Sequence, residues 1–566
     1  MGSAACGTYG AEPTNGRIVL DGGDGQVDTV GKQLSTPYTV LVTDDAGLPL
    51  PGVIVGWSVT SGGGSVSTAS TATDASGIAR TIATLGTTVG AQAVRATASG
   101  YSGSPIGFTA TGVADAPSQL SQSAGDGQDG ARTRALAQPL AVLVRDRYDN
   151  PVEGATVNWT VTVGGGSVAG PTSMTTAGGI ASMTLTLGPS LGVNAVNASV
   201  AGVAGTVTFT ATGVPVVTLV KQLPIPENYG IHDTYVREGI AFVFAWNTGV
   251  IIYDVGNGMK GGSPANPVEI SRLVTTGGKV HNGWWFQNQN TGEKKYLFIG
   301  EEGPGSIGSS SSGDIHVVDV SDLNSPVEVA SFRLSGAGTH NFWMDEQAEI
   351  LYAAFYNGGV VALDVSGTLA GDLATQGRVI ANLKPGGTGN TYVWGVQLYN
   401  GSVYATDMIS GFWQLSASDL STQGGGSNVP ERYGSDQWVQ NGYAYSGTWG
   451  FRSQPGNAVK VWELGPSGAP TLVDSVITTS ISTVSDLEVS PDGKLLMFST
   501  EGGGNNGVHF YSLANPARPT YLTKYLVSSG VHTATMATIN GRLYAFGARD
   551  PSGAALLILD ITDAVP

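Results

Sequence analysis

The sequence predicts an all-β protein in which two β-sandwiches precede a seven-bladed β-propeller. The first observation is the composition, since 84 of 566 residues are glycine and only 12% are charged. Such a mixture, rich in Ser, Thr and Val, is typical of short strands joined by tight turns. The second is a duplication with a period of 101 or 102 residues up to residue 214, and the third is a repeat of roughly 50 residues after it. So long a chain is expected to contain several hydrophobic cores.

The charge and the hydrophobicity of the chain exclude several classes of protein. A net charge of −17 argues against a nucleic-acid partner, because binding a phosphate backbone requires clustered Lys and Arg. No run approaches the roughly 18 apolar residues that a membrane-spanning helix needs. The single cysteine, Cys6, allows no intramolecular disulfide, so the stability of the fold has to come from burial.

Residues 1–16 are predicted to be an N-terminal linker that contains an anchor region. The stretch "SAACGTYG" resembles the end of a bacterial lipoprotein signal, in which small residues precede an acylated Cys followed by Gly. That resemblance implies lipidation of Cys6 and contact with a membrane only through this anchor. The alternative is an ordinary terminal thiol, since an apolar signal segment does not precede Cys6 and "MGS" could be a cloning remnant.

A duplication divides the first part of the chain into two units, predicted at residues 17–115 and 116–214. The motifs "GDGQ" and "GGGSV" occur in both units, and Trp57 in "VGWSVTSGGGSV" corresponds to Trp159 in "VNWTVTVGGGSV". Within each unit, apolar and polar residues alternate over short runs such as "YTVLVTD" and "LAVLVRD". A unit of about 100 residues with many short strands and one buried Trp predicts a β-sandwich.

Two segments carry a family resemblance. "VLVTDDAGLPLPGVIVGWSV" and "VLVRDRYDNPVEGATVNWTV" resemble the bacterial immunoglobulin-like domains of the invasin and intimin type. The resemblance covers residues 17–214 and implies two immunoglobulin-like sandwiches that serve as stalk and adhesion modules. We therefore expect these two domains to act as spacers.

Residues 215–566 repeat a different unit, in which a head residue precedes an alternating strand. The heads begin 41 to 59 residues apart, and each is followed by further apolar strands, in most units three. Four strands in each of seven units predict a seven-bladed propeller. The segment "VTLVKQLPIP" before the first head is predicted to complete the last blade and close the ring. The heads are His232, His281, His340, Trp394, Ser435, Ser485 and His532.

The propeller segment also resembles a known family. The patterns "GVVALDVSG" and "HVVDVSDLNSPVEV" resemble the LVIVD-repeat propellers of bacterial surface and secreted proteins. The resemblance covers residues 215–566 and implies a secreted or cell-surface location, either as an outer-membrane lipoprotein or as a periplasmic or extracellular protein. It implies the fold better than any activity, because the motifs are degenerate.

Four of the six histidines head units one, two, three and seven, which are neighbours in a closed ring. The innermost strand of each blade lines the central channel, so we expect the four rings to form one arc at its mouth. Neutral imidazole suits divalent transition metals, and the arc predicts a site for Cu, Zn or Fe. The alternative is a structural role in tying inner strands together, as we expect for His316 and His509 in third strands. The four candidate metal ligands are His232, His281, His340 and His532.

Further side chains belong to the predicted site. Residues directly after the heads could hold the second ring nitrogen of a ligand, and carboxylates after second strands could complete the site or act as a base. Trp394 occupies a head position, where it either packs between blades or stacks on a sugar or an aromatic ligand. The first set is Asp233, Asn282 and Asn341, and the second is Glu301, Glu302, Asp407 and Glu501.

The sequence leaves three functions open. The first is a secreted or cell-surface binding protein of the adhesion type, whose propeller binds an unknown extracellular ligand, glycan or surface protein. The second is a metal-dependent enzyme, with redox chemistry expected before hydrolysis. The predicted axial histidines make this chain similar in idea to the propellers of the selenium-binding protein and methanethiol oxidase family. The chain does not carry the motifs of that family. The third is a structural subunit of a surface layer or filament. The fold does not decide among them, so the site must.

Overall fold

The computed structural model describes residues 16–226, 230–465, 468–549 and 553–565, so Cys6 lies outside the described residues. The chain divides into two compact units, Met1–Val214 and Pro215–Pro566. Apart from two short 3-10 helices, Leu373–Gln376 and Thr562–Ala564, the regular elements of the described residues are β-strands. The all-β prediction is therefore confirmed. Within the same residues, no helix is long and apolar enough to cross a membrane.

The first repeat of the first unit folds as a sandwich. Its strands are β1 (Arg17–Gly22), β2 (Gln26–Thr29), β3 (Tyr38–Thr43), β4 (Ile54–Ser61), β5 (Ser65–Val66), β6 (Ser70–Ala72), β7 (Ile78–Thr81), β8 (Ala83–Thr84), β9 (Gly90–Thr97) and β10 (Ile106–Val113). They form sheets in the order β1-β3-β7 and β2-β10-β9-β4-β6, with a short ribbon β5-β8. Alternate residues of β10 are buried, which is the pattern of a strand with one face on a core.

The second repeat has the same topology. Its strands are β11 (Gln119–Ala124), β12 (Gln128–Ala131), β13 (Leu140–Arg145), β14 (Thr156–Val163), β15 (Ser167–Val168), β16 (Thr172–Met174), β17 (Ile180–Met183), β18 (Leu185–Thr186), β19 (Gly192–Val200) and β20 (Val207–Val214). The sheet orders, β11-β13-β17 and β12-β20-β19-β14-β16, match those of the first repeat. The buried Trp57 packs on Phe108 at 5.9 Å between ring centroids, and Trp159 packs on Phe209 at 5.8 Å. The duplication in sequence is therefore a duplication of core and topology.

The second unit consists of short antiparallel sheets. Its strands in the first half are β21 (Thr218–Pro224), β22 (Asp233–Arg237), β23 (Ile240–Ala245), β24 (Gly249–Asp254), β25 (Val268–Leu273), β26 (Val280–Trp285), β27 (Tyr296–Glu301), β28 (Ile315–Asp319), β29 (Val327–Phe332), β30 (Phe342–Asp345), β31 (Ile350–Phe355), β32 (Gly359–Asp364), β33 (Gly371–Asp372) and β34 (Val379–Leu383). Those in the second half are β35 (Val393–Tyr399), β36 (Ser402–Asp407), β37 (Gly411–Ser416), β38 (Thr422–Gly425), β39 (Tyr433–Gln440), β40 (Tyr443–Trp449), β41 (Ala458–Glu463), β42 (Thr471–Ile477), β43 (Thr483–Val489), β44 (Leu495–Glu501), β45 (Gly507–Ser512), β46 (Thr520–Leu526), β47 (Val531–Ile539), β48 (Arg542–Arg549) and β49 (Ala555–Asp560).

These strands form the sheets of a β-propeller. In the described part of the unit the sheets are β22-β23-β24-β25, β26-β27-β28-β29-β33, β30-β31-β32-β34, β35-β36-β37-β38, β39-β40-β41-β42, β43-β44-β45-β46 and β47-β48-β49-β21. The first strand of each sheet contacts the first strand of the next, and β47 contacts β22. The first strands therefore close a ring around a common axis.

The ring closes through the two ends of the unit. Strand β21 pairs with β49 in antiparallel register, with Thr218 opposite Asp560. This confirms the prediction that the segment before the first head completes the last sheet. The pairing covers the edge of β49 that would otherwise be exposed where the last sheet meets the start of the unit.

His316 is a structural residue of the second sheet. Its Nδ1 lies 2.7 Å from Glu328, and its Nε2 lies 3.5 Å from Glu301. Burial disfavours the charged ring, but the hydrogen bonds and the charges of Glu301 and Glu328 outweigh it and raise the pKa of His316. The neighbouring carboxylates thus favour the protonated imidazole within the sheet. His509 is neutral by contrast, because burial lowers its pKa to about 4.

The substitution His316→Gln is expected to destabilise the propeller in a pH-dependent way. A raised pKa contributes stability that is fully present below the unfolded value of about 6.5 and is lost as the pH rises through the folded pKa. The loss should be about 1–3 kcal/mol near pH 6 and smaller near pH 9. Denaturant titration at both pH values measures it. The matched control His509→Gln should show the opposite trend, and equal losses of His316→Gln at both pH values would contradict the charged pairing.

Candidate functional site

Four histidine rings lie together where four neighbouring inner strands begin. The ring centroids of His232 and His281 are 5.1 Å apart, those of His281 and His340 are 4.2 Å apart, and those of His232 and His532 are 4.7 Å apart. The backbone fixes the heads, since the amides of His232 and His340 donate to the second strands of their own sheets, at 2.9 Å and 2.8 Å. The closed ring of inner strands thus brings together residues that are far apart in the sequence.

Several ring nitrogens of this cluster are buried without a hydrogen-bond partner among the described residues. They are Nδ1 of His232, both nitrogens of His281 and Nε2 of His340. An unsatisfied buried polar atom costs about 1–3 kcal/mol, so such a concentration calls for a physical explanation. In His340, Nδ1 lies 2.8 Å from the carbonyl oxygen of Trp394. A carbonyl only accepts, so the proton is on Nδ1 and the lone pair of Nε2 points into the cluster.

A carboxylate orients the fourth ring. Nδ1 of His532 lies 3.2 Å from Oε1 of Glu501, and Oε2 of Glu501 accepts a hydrogen bond of 2.7 Å from the Ser485 hydroxyl. Ser485 is the head residue of the sheet that also holds Glu501, and this sheet lies next to the sheet of His532. A neighbouring sheet therefore positions the carboxylate beside His532. A carboxylate bonded to one nitrogen of a ligand histidine fixes the ring and makes the other nitrogen more basic.

Glu302 is the carboxylate that reaches the cluster. Its Oε2 lies 3.9 Å from Nδ1 of His232 and 4.0 Å from Nε2 of His281, while its Oε1 accepts a hydrogen bond from the Tyr356 hydroxyl. Distances near 4 Å are too long for hydrogen bonds. They are within the span of one ion that is about 2.0–2.2 Å from each donor atom.

The electrostatics of the cluster favour the neutral form of three of its rings. Burial lowers the pKa of His232, His281 and His340 well below the usual value, and neighbouring histidines lower each pKa further. Burial also raises the pKa of Glu302, against the hydrogen bond from Tyr356. Neutral imidazole is the form that binds metals.

Two overlapping groups offer ligand atoms within 4.8 Å of one another. One is His232, His281 and His532, and the other is His281, Glu302 and His340. The two groups share His281, and both are close enough to hold a metal ion. Nitrogen-rich donors with one carboxylate suit Zn, Cu or Fe better than Ca or Mg, which prefer oxygen ligands.

A cavity of about 330 Å³ adjoins the cluster. Three polar residues of the cluster, His232, His532 and Glu302, form part of its wall. The rest of the wall is mostly aromatic and apolar, and it includes Trp246, Ile307, Tyr356, Tyr392, Trp394, Met408 and Trp449. A small molecule in this cavity would therefore lie directly beside the candidate ligands.

The residues that follow the heads face a different cavity. Asp233, Asn282 and Asn341 line a space of about 230 Å³ between the inner strands. Burial and the charge of Asp486 raise the pKa of Asp233 to about 8. Successive residues of a strand point in opposite directions, which separates these side chains from the histidines before them. The hydrogen bonds that orient His340 and His532 come instead from the Trp394 carbonyl and Glu501, which corrects the expectation for Asp233 and Asn341. Asn282 still acts on the histidine before it, since burial lowers the pKa of His281 and the Asn282 side chain opposes that lowering.

Two of the predicted carboxylates have structural roles. Glu301 faces His316 within the second sheet. The oxygens of Asp407 accept hydrogen bonds from the backbone amides of Tyr392 at 3.1 Å, Ile409 at 2.9 Å and Ser410 at 3.0 Å. Neither carboxylate belongs to a ligand group among the described residues. Their expected role as a base or ligand is therefore not supported, whereas Glu302 and Glu501 reach the histidines.

Sequence reasoning missed most of the aromatic wall. Trp246 directly follows β23, Tyr356 directly follows β31, and Trp449 ends β40. These positions correspond to Glu302 after β27, so the rule that found the carboxylate would also have found the aromatic residues. Trp394 is buried against His340 at 4.1 Å and Trp449 at 4.8 Å between ring centroids. It packs in the core and lines the cavity at the same time.

Comparisons with known proteins give a family for one part of the chain. Residues 31–111 match the bacterial Ig-like domain (group 1), which confirms that such a domain lies in the first repeat. No curated protein matches the chain. Similar solved structures include the WD40 β-propeller domain of Doa1, which is 10% identical, covers 61% of this chain and 97% of its own, and has a TM-score of 0.44. The mitotic checkpoint complex is 14% identical, covers 60% of this chain and 93% of its own, and also has a TM-score of 0.44. The designed protein Ika8 has 10% identity, covers 72% and 97%, and has a TM-score of 0.39.

Removing the Tyr356 hydroxyl is expected to destabilise the metal-free protein. In Tyr356→Phe a buried oxygen of Glu302 loses its donor, so the free energy of unfolding should fall by about 1–3 kcal/mol. Denaturant titration of chelator-treated protein measures the change. Tyr521→Phe is the control, because Tyr521 is 53% exposed and the loss of its hydroxyl should have little effect. Equal stability of the two variants would show that the hydroxyl does not support Glu302.

Proposed function

We propose that the chain is a bacterial secreted or cell-surface binding protein whose propeller holds one divalent transition-metal ion. The ligands would come from His232, His281, His340, His532 and Glu302, which form two overlapping groups of three that share His281. The observation that supports this most directly is the set of buried ring nitrogens without hydrogen-bond partners in a cluster of ligand-type side chains. An ion would satisfy Nδ1 of His232, Nε2 of His340 and one nitrogen of His281, each of which has no hydrogen-bond partner among the described residues.

The charges and donors favour a particular class of ion. The candidate ligands are imidazoles and one carboxylate, so a divalent ion and these ligands would together carry a net positive charge, which the carboxylate of Glu501 beside His532 reduces. Cu, Zn and Fe suit such a donor set, and oxygen-seeking ions do not. The Trp394 carbonyl and Glu501 would hold His340 and His532 in position for the ion.

The surface location rests on the modules of the chain. A bacterial Ig-like domain suggests an extracellular or surface protein, and residues 31–111 match that family. Such a domain before a propeller that resembles LVIVD-repeat surface proteins supports a stalk that presents a binding head, with Cys6 as a lipid anchor. Labelling of intact cells of the native host by an antibody against residues 16–214 tests this. Labelling only after lysis would contradict it.

A metal-dependent enzyme is the second candidate, and the cavity is the observation that favours it. Catalytic metal sites keep an open coordination position, and His232 and His532 line a space large enough for a small molecule. Oxygen uptake by the copper-loaded protein with hydroquinone as the electron donor, lost in His281→Ala, would favour a redox enzyme. An inert metal-loaded protein favours the binding function.

Metal analysis of protein purified without a histidine tag tests the proposed site. The protein, exposed to Zn, Cu or Fe and then dialysed, should retain about one ion per chain. The variant His281→Ala, which removes the ligand shared by both groups, should bind at least about 100-fold more weakly, since even indirect partners of ligands contribute 10–100-fold. His509→Gln is the matched control and should keep its ion. Retention of the ion by His281→Ala, or its absence from the unaltered protein, would contradict the proposal.

A further inference from the structure

The cavity beside the histidine cluster has a size that suits one small ring compound. Its volume of about 330 Å³ is roughly twice that of an engineered apolar cavity of about 150 Å³ that holds benzene. It therefore has room for a six-membered ring that carries one or two substituents. At the wall formed by His232 and His532, such a ligand would meet cluster residues that we propose as metal ligands.

The walls of the cavity present aromatic faces from several sheets. Trp394 and Trp449 lie 4.8 Å apart, and Tyr356 and Tyr392 lie 4.5 Å apart, between ring centroids. Trp246 stacks on His232 at 4.4 Å. Trp246 and Trp449 are half-buried, so they are walls of an accessible space as well as parts of a core. Rings at these spacings contact one another and form a continuous aromatic wall, and such a wall favours a flat ligand ring that stacks on it in an offset arrangement.

Two of these aromatic residues hold a left-handed backbone. The φ angle is 43° at Trp246 and 31° at Tyr356, a region that bulky residues rarely adopt. Both residues stand where the second strand of a sheet turns into the third, a place where Asn or Gly would relax the turn. Retaining a large ring there at a conformational cost indicates that the ring itself is needed in the cavity.

The polar groups of the cavity select among ligands. The Tyr356 hydroxyl donates to Glu302, and the Tyr392 hydroxyl is bonded to both backbone groups of Gly305 at 3.1 Å. These hydroxyls are thus engaged within the protein, which leaves few groups to bind the many hydroxyls of a sugar. Among the described lining residues there is no Lys or Arg to hold an anion. The positive charge available to an anionic ligand in this cavity would therefore be that of the proposed metal ion.

We infer that this cavity binds a small aromatic anion, an aryl carboxylate or phenolate, whose ring stacks on the aromatic wall and whose oxygen coordinates the metal ion. This inference rests on the proposed metal site. The ion supplies the charge that the lining side chains lack, and the wall supplies the preference for a flat ring. An organic cation is disfavoured, because it would lie beside the ion.

The inference is tested with zinc-loaded protein, since zinc has no redox chemistry. Benzoate is added while tryptophan fluorescence is followed. Cyclohexanecarboxylate has the same charge and a similar size without a π face, and it should bind at least about tenfold more weakly. Benzyltrimethylammonium, an aromatic cation, should bind more weakly than benzoate. Chelator-treated protein should bind benzoate more weakly than zinc-loaded protein.

Variants locate the binding. Trp449→Leu and Trp246→Leu should each weaken benzoate binding about tenfold. Trp449→Leu should also leave the zinc content unchanged, whereas Trp246 stacks on the proposed ligand His232. Unchanged zinc content also shows that the variant site is folded. Trp438→Leu is the matched control, because the Trp438 side chain lines the separate cavity between the inner strands, and it should bind benzoate as the unaltered protein does.

The outcomes separate this inference from the proposed function. Equal binding of benzoate and cyclohexanecarboxylate by zinc-loaded protein, tighter binding of the aromatic cation, or unchanged benzoate binding in both Trp variants overturns the inference and leaves the metal site standing. A protein that takes up no metal contradicts the proposed function. Benzoate binding that is equally strong without zinc overturns the role of the ion in holding the ligand oxygen.

Discussion

The closed ring of inner strands is the constraint on which the site depends. Each sheet contributes its first strand to the axis, and β22 meets β47 where the ring closes. His232 and His532 are 300 residues apart in the chain and yet lie 4.7 Å apart between ring centroids. Pairing of β21 with β49 fixes this junction. A local feature of each repeat, its head residue, is thereby converted into a shared cluster.

The cluster carries an energetic cost that the fold alone does not offset. Burial and the neighbouring imidazoles lower the pKa of His232, His281 and His340, and several buried nitrogens have no partner among the described residues. Hydrophobic side chains of similar volume would pack there without that cost. The second and third strands around the cluster, such as β23 and β24, are fully buried. A buried frame around unsatisfied ring nitrogens is the arrangement expected of a preorganised ligand site.

Much of the fold could be predicted from the sequence, because repeats report topology directly. The duplicated Trp57 and Trp159 and the spacing of the heads indicated the sandwiches and the sheets. The histidine cluster followed from the radial symmetry of a propeller. The direction of individual side chains could not be read in the same way. Asp233 and Asn282 face another cavity because one step along a strand reverses direction.

The contacts that orient the histidines also lay beyond sequence reasoning. The Trp394 carbonyl is a backbone group, which no side-chain pattern reveals, and Glu501 reaches His532 from a neighbouring sheet.

The most direct measurement of the central claim is an X-ray absorption spectrum of the zinc-loaded protein. The account predicts a first shell with two or three imidazole nitrogens at about 2.0–2.1 Å. A shell made only of oxygen, or one with a single imidazole, would contradict it.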